Sequence, residues 1–187
     1  MGNFRPKIDE ALVSDQRIPR LEVLLWIDRS KDIQTLSKLY RLTRERYYQI
    51  QPDLGKDATC GLVQRYLLQC IRENVIDDNE VEGRWGAAQS LHIWFCHLVQ
   101  KNDSTEILKG AAEAVTDMFR AGDKDIRDAI ETGFLEHALE TEALRPYFVH
   151  WSTDPRLRES RERALEWGEA HPNFTWGLLQ QIPKPKT

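Results

Sequence analysis

The sequence predicts an all-α protein, a compact multi-helix bundle of about eight helices with some solenoid-like helix stacking. Three observations point there. Apolar residues recur with the 3.6-residue period of a helix along most of the chain. The breaks between apolar stretches carry Pro, Gly, Ser and Asp where helix ends need them. No alternation of apolar and polar residues is long enough to require a sheet. A chain of 187 residues can hide roughly 70% of its unfolded surface in one core, so a single domain over 1–187 is expected, with a disordered tail from about Pro183.

The elements follow in order. Pro19 suits a first helical turn, because its missing N–H would be unpaired there anyway, and LEVLLWID continues that helix. Ser30 is the expected cap of the next, which carries Ile33, Leu36, Leu39, Tyr40 and Tyr47 until Pro52 and Gly55 end it. A third covers about 56–75, and Asp77, Asp78 and Asn79 make a polar turn. From about 80 to 101 the chain is apolar on two stripes. Trp85, Ala88, His92, Phe95 and Val99 form one, and Ala87, Leu91, Trp94 and Leu98 form the other, which predicts a central helix. Asp103 with Glu106 reads as a capping box for a helix closed by Gly122. Asp123 caps the next, with Ile126, Ile130, Phe134 and Ala138 inward. A short helical piece spans about 144–151, and Asp154-Pro155 opens a last helix to about Gly168. GAAQSLHIWF (86–95) and GAAEAVTDMF (110–119) echo one another, with small residues where two helices could approach closely. The 24-residue offset is too short for an armadillo or HEAT unit.

Composition narrows the function. Apolar residues are 41% and charged residues 30% of the chain, a balance for a soluble globule. The N-terminus lacks the apolar segment of a secretory signal, and the longest apolar runs fall short of a membrane span, so a cytoplasmic protein without membrane contact is expected. Cys60, Cys70 and Cys96 have no paired spacing and read as buried thiols. The net charge of −4 is unevenly spread. Residues 103–142 carry eleven acidic against four basic residues, a local charge of −7, whereas residues 29–56 carry seven basic against three acidic. Such a field favours a basic protein partner and disfavours nucleic acid.

No catalytic motif is present. Phosphate-binding glycine loops, nucleophile elbows and dinucleotide fingerprints are missing, and no cofactor is implied. His92 and Cys96, four residues apart, could share a helical face as metal ligands, but both lie on the core stripe and no further ligand pair is suitably spaced, so no metal is expected. Glu136 and His137 are neighbours that point about 100° apart on a helix, which reads as a structural His beside a solvated Glu. Arg156, Arg158, Arg161 and Arg163, interleaved with Glu159 and Glu162, read as a solvated face of exposed ion pairs. Trp151, Trp167 and Trp176 read as core anchors. At helical spacing Glu106, Glu113 and Asp117 share one outward face, and Asp125, Asp128 and Glu136 share another on the following helix. These six are the candidate partner-binding residues.

The stretch GFLEHALETEALRPYFVHWSTDPRLRESRERALEWGE, from Gly133 to Glu169, resembles small all-helical bacterial proteins, some of them toxin-immunity proteins. That resemblance implies a cytosolic, non-catalytic protein that blocks a cognate toxin by direct binding, and it implies no site residue. The expected function is therefore neutralisation of a basic partner, a toxin domain, through the acidic helices. The alternatives are a helical adaptor or scaffold, or an enzyme whose site is assembled from scattered residues.

Overall fold

A computed structural model of the chain describes residues 4–77, 81–101 and 104–171. Among them the protein is all-α, with nine α-helices, two 3₁₀ segments, one π segment and four strands of two residues each. It divides into two units, 1–69 and 70–187. Asp78, Asn79, Asp103, Trp176 and the tail from Pro183 lie outside the described residues.

The first unit holds α1 (Arg5–Val13), α2 (Arg20–Arg29), α3 (Ile33–Glu45), a 3₁₀ turn at Tyr47–Gln49 and most of α4 (Lys56–Glu73). α1 is not expected from the sequence, because its apolar residues are few. It starts with Pro6 in its first turn and buries only Ile8 and Ala11. Strands β1 (Ile18–Pro19) and β2 (Ile50–Gln51) pair in parallel, Ile18 opposite Ile50. Asp32, not Ser30, caps α3, its carboxylate accepting from the Thr35 N–H at 3.0 Å. Ser30 instead donates its hydroxyl to the Trp26 carbonyl at 2.6 Å, serving the C-terminus of α2. The helix expected through Tyr47 stops at Glu45. Ile8, Val23, Leu36, Leu39, Leu42 and Leu62 are fully buried, and Tyr40 stacks on Tyr66 at 4.6 Å.

Early in the second unit, Asn74 adopts φ 52° after the end of α4 and accepts from the Arg84 N–H at 2.9 Å. β3 (Ile76–Asp77) pairs antiparallel with β4 (Val81–Glu82), and α5 (Gly83–Gln100) follows. α5 packs against most later elements of the unit, the central place its two stripes predict. Ala87, Ala88, Leu91, Phe95 and Leu98 are buried, but Trp85 is 49% exposed, a correction to its assignment as core. α6 (Thr105–Ala121) starts after Ser104, so that Glu106, exposed and paired with Lys109, takes no part in a described capping box. Gly122 closes it for a reason other than left-handed backbone. Its φ is −73°, and a Cβ there would meet Ile126 Cγ2 at 2.6 Å and the Met118 carbonyl at 2.9 Å. In the echoed segments the alanines are the buried partners; Gly110 has open space around it.

Asp123 caps α7 (Lys124–Ile130) as expected, accepting from the Ile126 N–H at 2.9 Å. The chain then widens into a π segment (Glu131–Leu135) before α8 (Glu136–Glu140). Ile126, Ile130, Phe134 and Ala138 explain the widening. Spaced by four, they would drift about 120° around an ideal helix over twelve residues, yet all four are buried, and wider turns keep them on one side. A 3₁₀ helix (Glu142–Ser152) containing Pro146 leads to α9 (Arg158–Ala170), which begins after the Asp154-Pro155 turn and not at it. Phe95, Phe134, Phe148, Trp151 and Phe119 form a chain of ring contacts, 4.9 to 6.0 Å between successive centroids, at the heart of the unit. α9 lies close on α8: a Cβ at Gly168 would stand 2.8 Å from the Glu140 nitrogen.

Candidate functional site

The second unit carries three groups of polar residues that differ in access. The first is sealed. Cys96 Sγ and His92 Nε2 are hydrogen-bonded at 3.1 Å on one face of α5. The His92 ring lies 5.6 Å from that of His137 on α8, whose Nδ1 is hydrogen-bonded to Glu140 Oε1 at 2.7 Å. Trp167 of α9 meets His137 edge-on at 4.8 Å and stacks on His171 at 4.4 Å. The π segment sets the phase that brings His137 to this position, so His137, its side chain 15% exposed, is joined to Glu140 and not to its neighbour Glu136.

Burial dictates what this cluster can do. It pushes the His92 pKa down to about 4, with His137 adding to the effect, and pushes the Cys96 thiol up to about 11. At neutral pH His92 is therefore neutral and Cys96 a protonated thiol, the opposite of an activated nucleophile. His92 is 1% exposed and Cys96 fully buried, leaving no room for a substrate. Among the described residues no group of three or more His, Cys, Asp and Glu is placed to hold a metal ion.

The second group is the candidate acidic surface. Glu106, Glu113 and Asp117 are exposed on α6, as their spacing predicts. Asp125 and Asp128 are exposed on α7, but Glu136 does not stand out in solvent with them. It is half-buried, its carboxyl pushed up mainly by that burial, with His137, Glu131 and His171 acting on it. Much of the local charge is met by nearby cations: Glu106 by Lys109 at 2.8 Å, Asp117 by Arg120 at 3.6 Å, Asp125 by Arg84 at 3.6 Å, and Asp128 by Lys124. The indole of Trp85, next to Arg84, stands at the same end of α5 with Gly133 of the π segment against it; a Cβ at Gly133 would lie 3.5 Å from the ring. The exposure of Trp85 is not legible in the sequence, because an apolar stripe does not reveal where a helix emerges from its core.

The third group is an open groove of about 340 Å³ between α6 and the 3₁₀ helix. Thr105, Lys109 and Glu113 line one wall, Pro146, Tyr147 and His150 the other. Behind it the Thr116 hydroxyl accepts from the Trp151 indole N–H at 2.8 Å, donates to the Ala112 carbonyl at 2.7 Å and lies 3.1 Å from His150 Nε2. Burial and the Arg120 charge hold the His150 pKa below the ordinary imidazole value. Tyr147 and His150 were missed, although Pro146 signals the 3₁₀ geometry in which residues three apart eclipse. The arginine run also differs from expectation. Arg163 keeps the expected exposed pair with Glu159 on its own helix but also reaches Glu131 of the π segment at 2.6 Å, and Arg161 donates to the Phe148 carbonyl at 3.1 Å, so two of the four arginines fasten α9 down.

Fold and site together define an all-α protein whose second unit combines a largely buried polar cluster with an exposed acidic surface and an open groove. The chain belongs to the DUF7674 family, a domain of unknown function whose family model matches residues 62–162. The match takes in His92, Cys96, His137 and Glu140, the α5–α7 surface and the whole groove, and stops short of Trp167 and His171. No curated protein and no solved structure matches the chain significantly. Among the described residues no helix is long and apolar enough to cross a membrane.

Proposed function

We propose that the protein is a non-catalytic binding protein whose second unit docks a basic protein partner, and that it serves as an immunity protein which neutralises a bacterial toxin by covering it. One observation carries this reading: Trp85, half-exposed, stands on Gly133 at the end of α5 where its neighbour Arg84 pairs with Asp125 of α7. An exposed tryptophan supplies a rigid apolar anchor of the kind that dominates protein interfaces, and the acidic excess along α6 and α7 steers a basic surface to this unit. The sealed Cys96–His92–His137–Glu140 cluster supports a binding role in another way, by spending the most reactive side chains on packing.

The partner copurified from the native source provides the test. Its association rate and affinity are measured with the wild type, with Trp85→Ala, and with Glu113, Asp117, Asp128 and Glu136 all changed to Lys. The helix content and melting temperature of each variant are checked first. The reading expects Trp85→Ala to shorten the lifetime of the complex roughly tenfold or more. It expects the charge reversal to slow association most strongly at low salt. Unchanged kinetics in both folded variants would overturn it.

A further inference from the structure

We infer that the groove between α6 and the 3₁₀ helix is a receptor for an arginine side chain of the docking partner, held by the Glu113 carboxylate and the Tyr147 ring. The inference deepens the proposal that the second unit docks a basic protein, and rests on it for the identity of the partner. Its own ground is the groove. At about 340 Å³ it is open to solvent and lined by Thr105, Lys109, Glu113, Pro146, Tyr147 and His150.

The charges in the groove decide the sign of what enters. Lys109 is committed to Glu106, its ammonium donating to Oε1 at 2.8 Å. Arg120, farther along α6, is taken by Asp154 at 2.7 Å. Burial and Arg120 act against the protonation of His150 and outweigh Glu113 and Asp154, which act for it. Glu113 takes part in none of the ion pairs among the described residues, which sets it apart from Glu106, Asp117, Asp125 and Asp128. Lys109 also acts on Glu113 and Tyr147, but its hydrogen bond goes to Glu106, so Glu113 is the lining carboxylate without an ion pair of its own, in a groove that Tyr147 also lines.

A cation fits that pair, and guanidinium fits better than ammonium. Its plane can lie along the Tyr147 ring while its N–H groups donate to Glu113. The compact, strongly hydrated lysine head offers only a point charge. Pro146 and the Tyr147 edge give the aliphatic stem an apolar wall. The Thr116 hydroxyl and the Trp151 indole fix His150 from behind, so the wall is formed before the ligand arrives.

The test is a nuclear magnetic resonance titration of the full-length protein with N-acetyl-arginine methylamide, with the lysine and citrulline analogues and acetate as comparisons. Saturable shifts at Tyr147, His150 and Glu113 are expected with the arginine probe. The lysine analogue should bind more weakly and citrulline should not saturate. Glu113→Gln should weaken the arginine probe roughly fivefold to tenfold, while Glu162→Gln, exposed on α9, should leave it unchanged. No saturable shift in the groove, shifts undiminished by Glu113→Gln, or a stronger response to acetate would each overturn the inference. Its failure is distinct from that of the docking proposal, because loss of probe binding can be compared with the kinetics of the Trp85→Ala protein and the copurified partner. If Trp85→Ala releases the partner and Glu113→Gln leaves both partner and probe undisturbed, the docking surface stands and the arginine receptor falls.

Discussion

The second unit contains two histidine sites built from similar parts and opposite in character. In one, His92 and His137 lie with Cys96, Glu140 and Trp167 beneath α9; in the other, His150 lies with Thr116, Glu113 and Tyr147 at the edge of a groove. Both join an imidazole to a hydroxyl or thiol and place a carboxylate and an aromatic ring nearby. Access alone separates them. Sealing turns the first into a polar joint within the core, where every group must find a partner inside the protein. Opening makes the second a surface that can still meet a ligand. Residue types therefore do not mark a functional site until burial is known.

The largest effect that would sharpen this contrast is on stability. His137→Ala removes a hydrogen-bonding partner of Glu140, whose side chain is 1% exposed, and should cost about 3 to 5 kcal/mol in denaturant unfolding. His150→Ala should cost less than about 1 kcal/mol, since the Thr116 hydroxyl keeps Trp151 and Ala112. Equal losses would erase the distinction between joint and groove.

Acid provides the next measurement. His92 has a pKa of about 4 in the folded protein against 6.5 as its ordinary value, so the unfolded chain takes up the proton first. The stability tied to this residue is fully present above 6.5 and is lost as pH falls from 6.5 towards 4. Its total is about 3 kcal/mol. His92→Gln should flatten the stability profile in that window. A profile as steep as that of the wild type would assign the acid sensitivity elsewhere.

Gly168→Ala tests the seal itself. The added methyl would press on backbone at the Glu140 nitrogen, 2.8 Å away, and should cost about 1 to 3 kcal/mol. Cys96, protected from a thiol reagent in the wild type, should label faster in this variant. The smallest effect is expected at the surface, where Glu113→Gln should leave the unfolding midpoint unchanged.

Much of the architecture was legible in the sequence because periodicity and caps are local signals. α4, α5, α6 and the Asp123 cap follow directly from the spacing of apolar residues and the polar residues that precede them. The one-sided set Ile126, Ile130, Phe134 and Ala138 was legible too, though its strict four-residue spacing was a sign of the π segment that only the structure made plain. α1 was not legible, because a helix with two buried residues leaves almost no stripe. The exposed acidic residues of α6 were legible, whereas Glu136 was displaced from its expected face beyond the π segment. Trp85 and the groove were not, because each depends on which other element comes near, and nothing within five residues of either encodes that.

The central claim is that the partner docks on the second unit at the start of α5 and along α7. Hydrogen–deuterium exchange of the protein alone and in complex with its copurified partner tests it most directly. The account predicts protection on binding at 83–88 and 124–136, with further protection at 143–151 where the groove is engaged, and little change over 5–45. Protection confined to 5–45, with the start of α5 and all of α7 exchanging as in the free protein, would contradict it.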